Sequence, residues 1–417
     1  MATTNNRTSL DATFKRVLAD DINMLMPESA VMTKLFPKIN KQDGREYLEP
    51  VALTHEHGIS YNAGDGVTAL EGSVAAVYGE AKVTSSAVIL RTRFGQDAVN
   101  RMQKDETTFL KLGGFRAKIM KESIVKRAEL AMLYGRTGLA VISAVGTPSA
   151  GVLTVTVSDA TWSPAIWGGM EGALVECRIG ATGHAGHTTN LLSVTSVAPD
   201  TKQIVITGNN TELGTVAVGD SLFFRGSYTA DMAGLDKIIT NTGSLFNIDA
   251  SVYQLWKSSQ YPITGSLTFG RILKAAATPV ARGGLDGDAV CLVPPRAFEQ
   301  LNEDYSAYRQ TDSSYKSGKG ENGVEALDFH YQAGRIQIMP APYVKEGESF
   351  LFPREEIIRV GAKDFSFGTD LNGDGSDVQY FHMIESVAAW EMRAQYDFCI
   401  FARSPAKMTK ITGITYS

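Results

Sequence analysis

The stretch that decides the fold is QDAVNRMQKDETTFLKLGGFRAKIMKESIVKRAELAMLY, residues 96–134. Val99, Met102, Phe109, Leu112, Phe115, Ile119, Ile124, Ala128 and Ala131 return at helical spacing. The other face carries Arg101, Lys104, Lys111, Arg116, Lys118, Lys121, Lys126 and Arg127, interleaved with Asp105, Glu106, Glu122 and Glu129. This pattern predicts one helix, roughly 50–60 Å long at 1.5 Å per residue. Gly113-Gly114 predicts a bend, because glycine inside a helix is costly. Gly135 sits where a C-cap belongs. The basic face reads either as solvated surface or as an electrostatic contact for DNA phosphates.

Before this helix the chain reads as a long hairpin. Residues 46–57 are extended, with Tyr47, Val51 and Leu53 on one side. A polar tip with Gly58, Gly64, Gly66 and Gly72 follows, and Val74 to Arg93 returns. Two strands alone are marginal in water, so this hairpin must lean on the rest of the chain or on a neighbour. Further upstream, residues 1–8 read as a loose arm. Phe14, Val17, Leu18, Ile22, Leu25 and Met26 predict an amphipathic helix that stops at Pro27, and a short apolar stretch runs from Val31 to Phe36.

After the helix the period changes. Gly151–Ser158, Ala173–Ile179, Leu191–Val197, Gln203–Thr207 and Ser221–Phe224 are short β-type runs between Gly, Asn, Asp and Pro turns. They predict a small all-β unit of about 80 residues. Mixed α/β character then returns. Ser251–Gln260 and Leu267–Arg282 read as helices, the second interrupted at Pro279. Ala289–Pro294 reads as a buried strand, 295–303 as a helix, 309–323 as a polar loop, and Gly334–Pro340 as a strand. Ser349–Phe352 reads as extended and Arg354–Ile358 as helix-like. The chain ends in two extended segments, Phe365–Gly368 and Val378–Phe401, joined by an acidic turn.

Composition removes several classes. The 417 residues carry 40 Lys+Arg against 45 Asp+Glu, a net charge of −5 without the basic excess of a general nucleic-acid binder. At 43% hydrophobic and 20% charged the chain is not a disordered acidic protein. The three cysteines, Cys177, Cys291 and Cys399, form no C-x-x-C pair. Their scatter fits a reducing compartment. No apolar run is long enough to span a bilayer, and the N-terminal residues lack a signal-peptide h-region. The expectation is a soluble protein made in the cytoplasm.

The chemistry-bearing motifs read mostly as surface. Asp370, Asn372 and Asp374 followed by Gly375 match the first half of a Ca²⁺ loop. Position 12 of that loop is Phe381, so a tight turn between strands is the better reading. Gly318, Gly320 and Gly323 have dinucleotide-loop spacing but no strand before them. His55-Glu56-His57 would set two imidazoles on one strand face, and His184 and His187 lie in a glycine-rich turn. Neither pair has the further ligands a metal site needs. No nucleophile elbow or Walker loop is present, and Glu355 with Glu356 read as solvated. No catalytic, cofactor or metal residue is assigned, and no enzyme is expected.

The order of elements resembles the major capsid protein of tailed bacteriophages, with the Hong Kong 97-type fold. Ala289-Val-Cys-Leu-Val-Pro-Pro-Arg296-Ala-Phe298 is similar to that family's strand and helix start. Gly334-Arg-Ile-Gln-Ile-Met-Pro340 is similar to its axial-domain strand, and Val378–Arg403 with Arg403-Ser-Pro405-Ala406 to its closing strands. The resemblance implies an α+β fold with an inserted small all-β domain. Residues 1–45 would be the N-terminal arm, 46–93 the extended E-loop, and 94–139 the peripheral domain with its spine helix. The insertion would span 140–228 and the axial domain 229–349. Residues 350–403 would complete the peripheral domain, and 404–417 the axial closing strand.

The implied function is self-assembly into hexamers and pentamers of an icosahedral shell. That shell would enclose double-stranded DNA held without sequence preference, as a virion capsid built in the host cytoplasm. Implied partners are other copies, a portal protein, a separate scaffold protein and a decoration protein, with no membrane and no cofactor. Some members crosslink an E-loop lysine. Lys82 lies in that region, but no partner Asn or catalytic Glu is identified, so no crosslink is expected. The alternatives are an encapsulin-like compartment and a tail or baseplate structural protein. An enzyme with an unrecognised site would differ in class.

Overall fold

A computed structural model describes residues 30–39, 46–62, 64, 66, 68, 70–95, 110–179, 182–183, 192–367, 369–370, 378–379, 381–384 and 389–416, apart from 312–326. The amphipathic helix ending at Pro27, the helix segment 96–109, His184, His187, Asn372, Asp374 and the three glycines of 318–323 lie outside these residues.

Three sheets carry the described chain. The first has the order β1 (Lys38–Ile39), β19 (Ile357–Phe367), β23 (Ala389–Ala402) and β22 (Phe381–Met383), and β4 (Ser86–Gly95) pairs with β23. β23 alternates Ala394, Tyr396, Phe398 and Ile400 inward, and these side chains are buried. Such alternation is what one covered sheet face requires. Phe365 packs edge-on against Tyr396 and Phe398, at centroid distances of 5.7 and 5.5 Å.

The second sheet has seven strands: β5 (Ala140–Val145), β6 (Val152–Val157), β7 (Leu174–Ile179), β8 (Thr182–Gly183), β9 (Leu192–Ala198), β10 (Gln203–Thr207) and β11 (Ser221–Phe224). The order is β11-β5-β6-β10-β9-β7-β8, and β11 also pairs with β7. Thus β11 pairs with both β5 and β7, which closes six of the strands into a barrel and leaves β8 outside the ring on β7. All five expected β runs are strands here. β5 and β8 are strands that the sequence pattern does not predict. Three short helices join this part of the chain: α3 (Pro164–Trp167), α4 (Asn210–Leu213) and α5 (Ser227–Ala230).

The third sheet has the order β14 (Ser259–Gly265), β24 (Thr409–Ile414), β18 (Glu348–Pro353), β15 (Ala289–Val293), β17 (Gly334–Pro340) and β16 (Leu327–Tyr331). Every residue of β15 is buried. It is a continuous apolar run because both faces are covered: Ala289, Cys291 and Val293 pack with α7 (Phe269–Gly283) and α8 (Pro295–Thr311), and Val290 and Leu292 with the larger core. Pro279 does not interrupt α7. The carbonyl of Ala275, which a proline four residues on cannot bond, instead accepts the Thr409 hydroxyl at 3.4 Å.

The long helix, α2, spans Leu110–Tyr134 and runs through Gly113-Gly114 without a break. It packs against β23, α1 (Met32–Leu35) and α6 (Leu235–Ile239). Gly135 follows its end as expected, but for a different reason. The left-handed residue is Arg136, at φ 67°. Gly135 is needed because a Cβ there would collide with the Met232 carbonyl, and Gly234 donates to the Gly135 carbonyl at 3.0 Å.

Other expectations are corrected. Ser251–Gln260 is not a helix. It is a turn with a 3-10 segment at Gln254–Trp256 that enters β14. Trp256 Nε1 bonds the Leu245 carbonyl at 3.1 Å, so its apolar residues serve a turn. Arg354–Ile358 is helical only over Arg354–Glu356, a 3-10 turn between β18 and β19. The extended segment expected from Phe365 begins earlier, at Ile357. Val378–Phe401 is broken into β21 (Val378–Gln379), β22 and β23, and β21 pairs with β20 (Thr369–Asp370). Asp370 stands opposite Val378 in that pair, and residues 371–377 of the expected turn lie outside the described residues.

Candidate functional site

Two structures stand out chemically: a projecting hairpin and a buried cluster of charge. The hairpin pairs β2 (Tyr47–Ala52) with β3 (Tyr78–Val83), from Tyr47↔Val83 to Ala52↔Tyr78. Beyond the strands the two arms stay linked by Leu53 N–H to Val77 O at 2.8 Å and His57 N–H to Val74 O at 3.1 Å. Its base is fixed to the molecule. Ala81 and Val83 are buried, Lys82 N–H donates to Phe246 O at 3.0 Å, and Tyr47 packs on Phe401 at 6.2 Å. Phe246 belongs to the turn between β12 (Ser244–Leu245) and β13 (Ile248–Asp249). Arg403 pairs with Glu49 at 3.0 Å and Lys82 with Glu46 at 2.8 Å.

The tip is different. Ile59, Tyr61 and Leu70 are 60%, 89% and 87% exposed, and Val74, Val77 and Tyr78 are exposed as well. Clustered apolar exposure on a segment without a core marks a contact surface. His55 and His57 are exposed here, beyond the end of β2, so no strand face brings them together. Among the described residues no group of three or more His, Cys, Asp or Glu could hold a metal ion. No described helix is long and apolar enough to cross a membrane. Burial pushes the thiols of Cys177, Cys291 and Cys399 up to about 12.

The basic face of α2 is not one stripe. Lys118 and Lys121 are exposed. Lys126 instead donates to Gly168 O at 2.6 Å, and burial lowers its pKa to about 8. Arg127 stacks on the Phe224 ring at 3.2 Å, and burial lowers it to about 10. Glu129 is fully buried rather than solvated. It accepts the N–H groups of Met32 at 2.8 Å and Thr33 at 2.7 Å, holding the first turn of α1. Burial raises its pKa against those bonds.

The charge cluster joins α2, α6, β18 and β24. Lys410 Nζ bonds Glu348 at 2.8 Å and Asp236 at 2.5 Å. Beside it, Lys345 Nζ donates to Gly138 O at 2.9 Å and lies 3.9 Å from the Tyr134 ring. The Tyr134 hydroxyl accepts the Lys345 N–H at 2.9 Å. Burial lowers Lys345. It would lower Lys410 too, but Glu348 and Asp236 outweigh it and raise that group. This cluster is closed by packed rings and partners, so it reads as a clamp between parts of the fold. Sequence reading missed it, because its residues lie up to 276 positions apart (410 − 134).

No family model matches the sequence, and no curated protein is similar to it in sequence. Solved structures are similar over nearly the whole chain. A chain of the Cyanophage A-1(L) capsid asymmetric unit matches 99% of this chain and 100% of its own, at TM-score 0.60 and 10% identity. Capsid chains of native and empty GTA particles match 99% and 100% at TM-scores 0.51 and 0.52, with 7% and 6% identity. From the hairpin base to its last strand, the chain has the α+β fold of these capsid subunits, the Hong Kong 97-type fold that its element order resembles.

Proposed function

We propose that this chain is the major capsid protein of a tailed double-stranded DNA phage, assembling as hexamers and pentamers into an icosahedral shell around the genome. The observation that carries this is the whole-chain likeness to a chain of the Cyanophage A-1(L) capsid asymmetric unit. In this reading residues 1–45 are an arm, 46–93 the extended loop, and 94–139 with 350–403 the peripheral domain. Residues 229–349 with 404–417 form the axial domain, and 140–228 are inserted between the two. A portal protein, a scaffold and a decoration protein are the further partners.

The physics fits a container. A hairpin with an exposed apolar tip gains only by covering that tip on a neighbour. Individually modest contacts, repeated under closed symmetry, hold a shell together. A net charge of −5 per copy leaves little mutual repulsion. The test is negative-stain microscopy of the expressed chain, alone and with its phage's scaffold. Closed shells or six-fold capsomers support the reading. A monodisperse monomer in both preparations refutes it.

A further inference from the structure

The buried cluster sets an amine against two carboxyl groups. Lys410 Nζ lies 2.5 Å from Asp236 Oδ1 and 2.8 Å from Glu348 Oε1. The Lys410, Asp236 and Glu348 side chains are 7%, 7% and 12% exposed. They come from three elements: Asp236 from α6, Glu348 from the start of β18, and Lys410 from β24. Lys410 stands opposite Phe350 and Thr412 opposite Glu348, so Glu348 and Lys410 lie diagonally on one face of the sheet. Packed rings shut this face from water. Phe350 lies 5.7 Å from Lys410 Nζ, Tyr134 packs on Phe350 at 6.1 Å, and both rings are buried.

The cluster holds more than an ion pair needs. The spacing puts Asp236 Cγ roughly 3–3.5 Å from the amine, which is near-attack distance. Glu348 Oε2 is buried and has no donor at hydrogen-bond distance among the described residues. An open carboxylate oxygen in a dry site is a place for a proton. Lys345 is a second cation, coupled electrostatically to both carboxylates and held by the Gly138 carbonyl. An amine at a carboxyl carbon, beside a group that can carry its proton, is the arrangement for amide formation.

We propose that Lys410 and Asp236 condense to an isopeptide bond within one chain, with Glu348 as the proton carrier. The Lys410 ammonium gives one proton to Asp236, leaving a neutral amine and a carboxylic acid. The nitrogen electron pair attacks Cγ and the N–C bond forms. Glu348 Oε2 takes the second proton from nitrogen and returns it to the Asp236 hydroxyl. The C–O bond breaks, water leaves, and Glu348 is a carboxylate again. One ammonium and one carboxylate are consumed together, so no outside reactant is needed. Glu348 and Lys345 remain as a balanced pair, which gives the second lysine a role.

Burial alone would strip the proton from Lys410, but Glu348 and Asp236 hold it there. The neutral pair is therefore a minor form, and closure follows folding slowly. The freshly folded chain carries the ion pair, and Lys410→Met removes pair and bond alike. The bond ties α6 to β24 across 174 positions of sequence. It involves neither the hairpin nor Lys82, and it needs no second copy, so it stands independently of the shell reading.

The test is the intact mass of the full chain, folded, stored for several days and then denatured, followed by peptide mapping. The expected wild-type chain is lighter than its sequence by one water and yields a branched peptide joining Lys410 to Asp236. Glu348→Gln keeps both partners and should slow the water loss about 100-fold or more. Asp236→Ala should keep its full mass. Circular dichroism reports whether each variant folds, and the wild-type map decides alone where one does not. A folded wild-type chain that keeps its full mass overturns the proposal. Water lost without the 236–410 branch, or a branch through Glu348, overturns it equally. A folded Glu348→Gln chain that closes at the wild-type rate overturns the proton carrier.

Discussion

Replacing Lys410 by Met should unlock the buried clamp. The side chains of Asp236, Glu348 and Lys410 are each 12% exposed or less. With Lys345 they make two negative and two positive charges. Lys410→Met fills similar volume but leaves two carboxylates facing one buried ammonium. Removing one partner of a buried pair costs about 3–5 kcal/mol. For a cooperative unit with a urea slope of about 3 kcal/mol per M, the midpoint falls by about 1–1.7 M. The assay is urea unfolding of the unassembled subunit by tryptophan fluorescence. Adding Glu348→Gln restores the charge balance and should recover a substantial part of the loss, since contacting residues couple by about 0.5–3 kcal/mol. A midpoint change below about 0.3 M, or a double variant no more stable than the single, would refute the clamp. The pH sign follows from the raised pKa of Lys410. Its contribution is full below the unfolded lysine value of 10.5 and fades as pH rises through the still higher folded value.

Other outcomes follow from single residues. Leu70→Asp should cut particle yield while leaving subunit stability within about 0.5 kcal/mol, because the tip covers no core; sedimentation and urea unfolding read the two effects. Gly135→Ala should destabilise by about 1–3 kcal/mol through its collision with the Met232 carbonyl, seen as a lower urea midpoint. Burial raises Asp231 from 3.8 to about 6, so its ionised form costs stability above pH 6. Asp231→Asn should therefore stabilise at pH 7–8 by at most about 3 kcal/mol, with the gain vanishing below about pH 4 in a pH series of unfolding curves. Cys177, Cys291 and Cys399 should stay unreactive toward a thiol reagent at pH 8 until the chain is unfolded.

The fold was legible where local pattern and tertiary need coincide. β15 is apolar without interruption because both its faces are covered, and the five β runs after α2 sit between Gly, Asn and Asp turns. The misreadings share one cause. Val252, Tyr253, Leu255 and Trp256 have near-helical spacing, yet they serve a turn whose purpose appears only once β14 lies on β24. Pro279 reads as a break until Thr409 supplies the missing bond. Lys126, Arg127 and Glu129 look solvated on a helical wheel, and only their burial against Gly168, Phe224 and α1 shows otherwise. For the candidate surfaces the hairpin was visible as a segment without a core.

The central claim is that the chain builds a closed shell, and its most direct test is a cryo-electron microscopy reconstruction of particles formed by the purified chain. The account predicts icosahedral density in which this fold repeats in rings of six and five, with each hairpin crossing onto a neighbour. A particle built on another fold, or a population of isolated subunits with the hairpin in solvent, would contradict it.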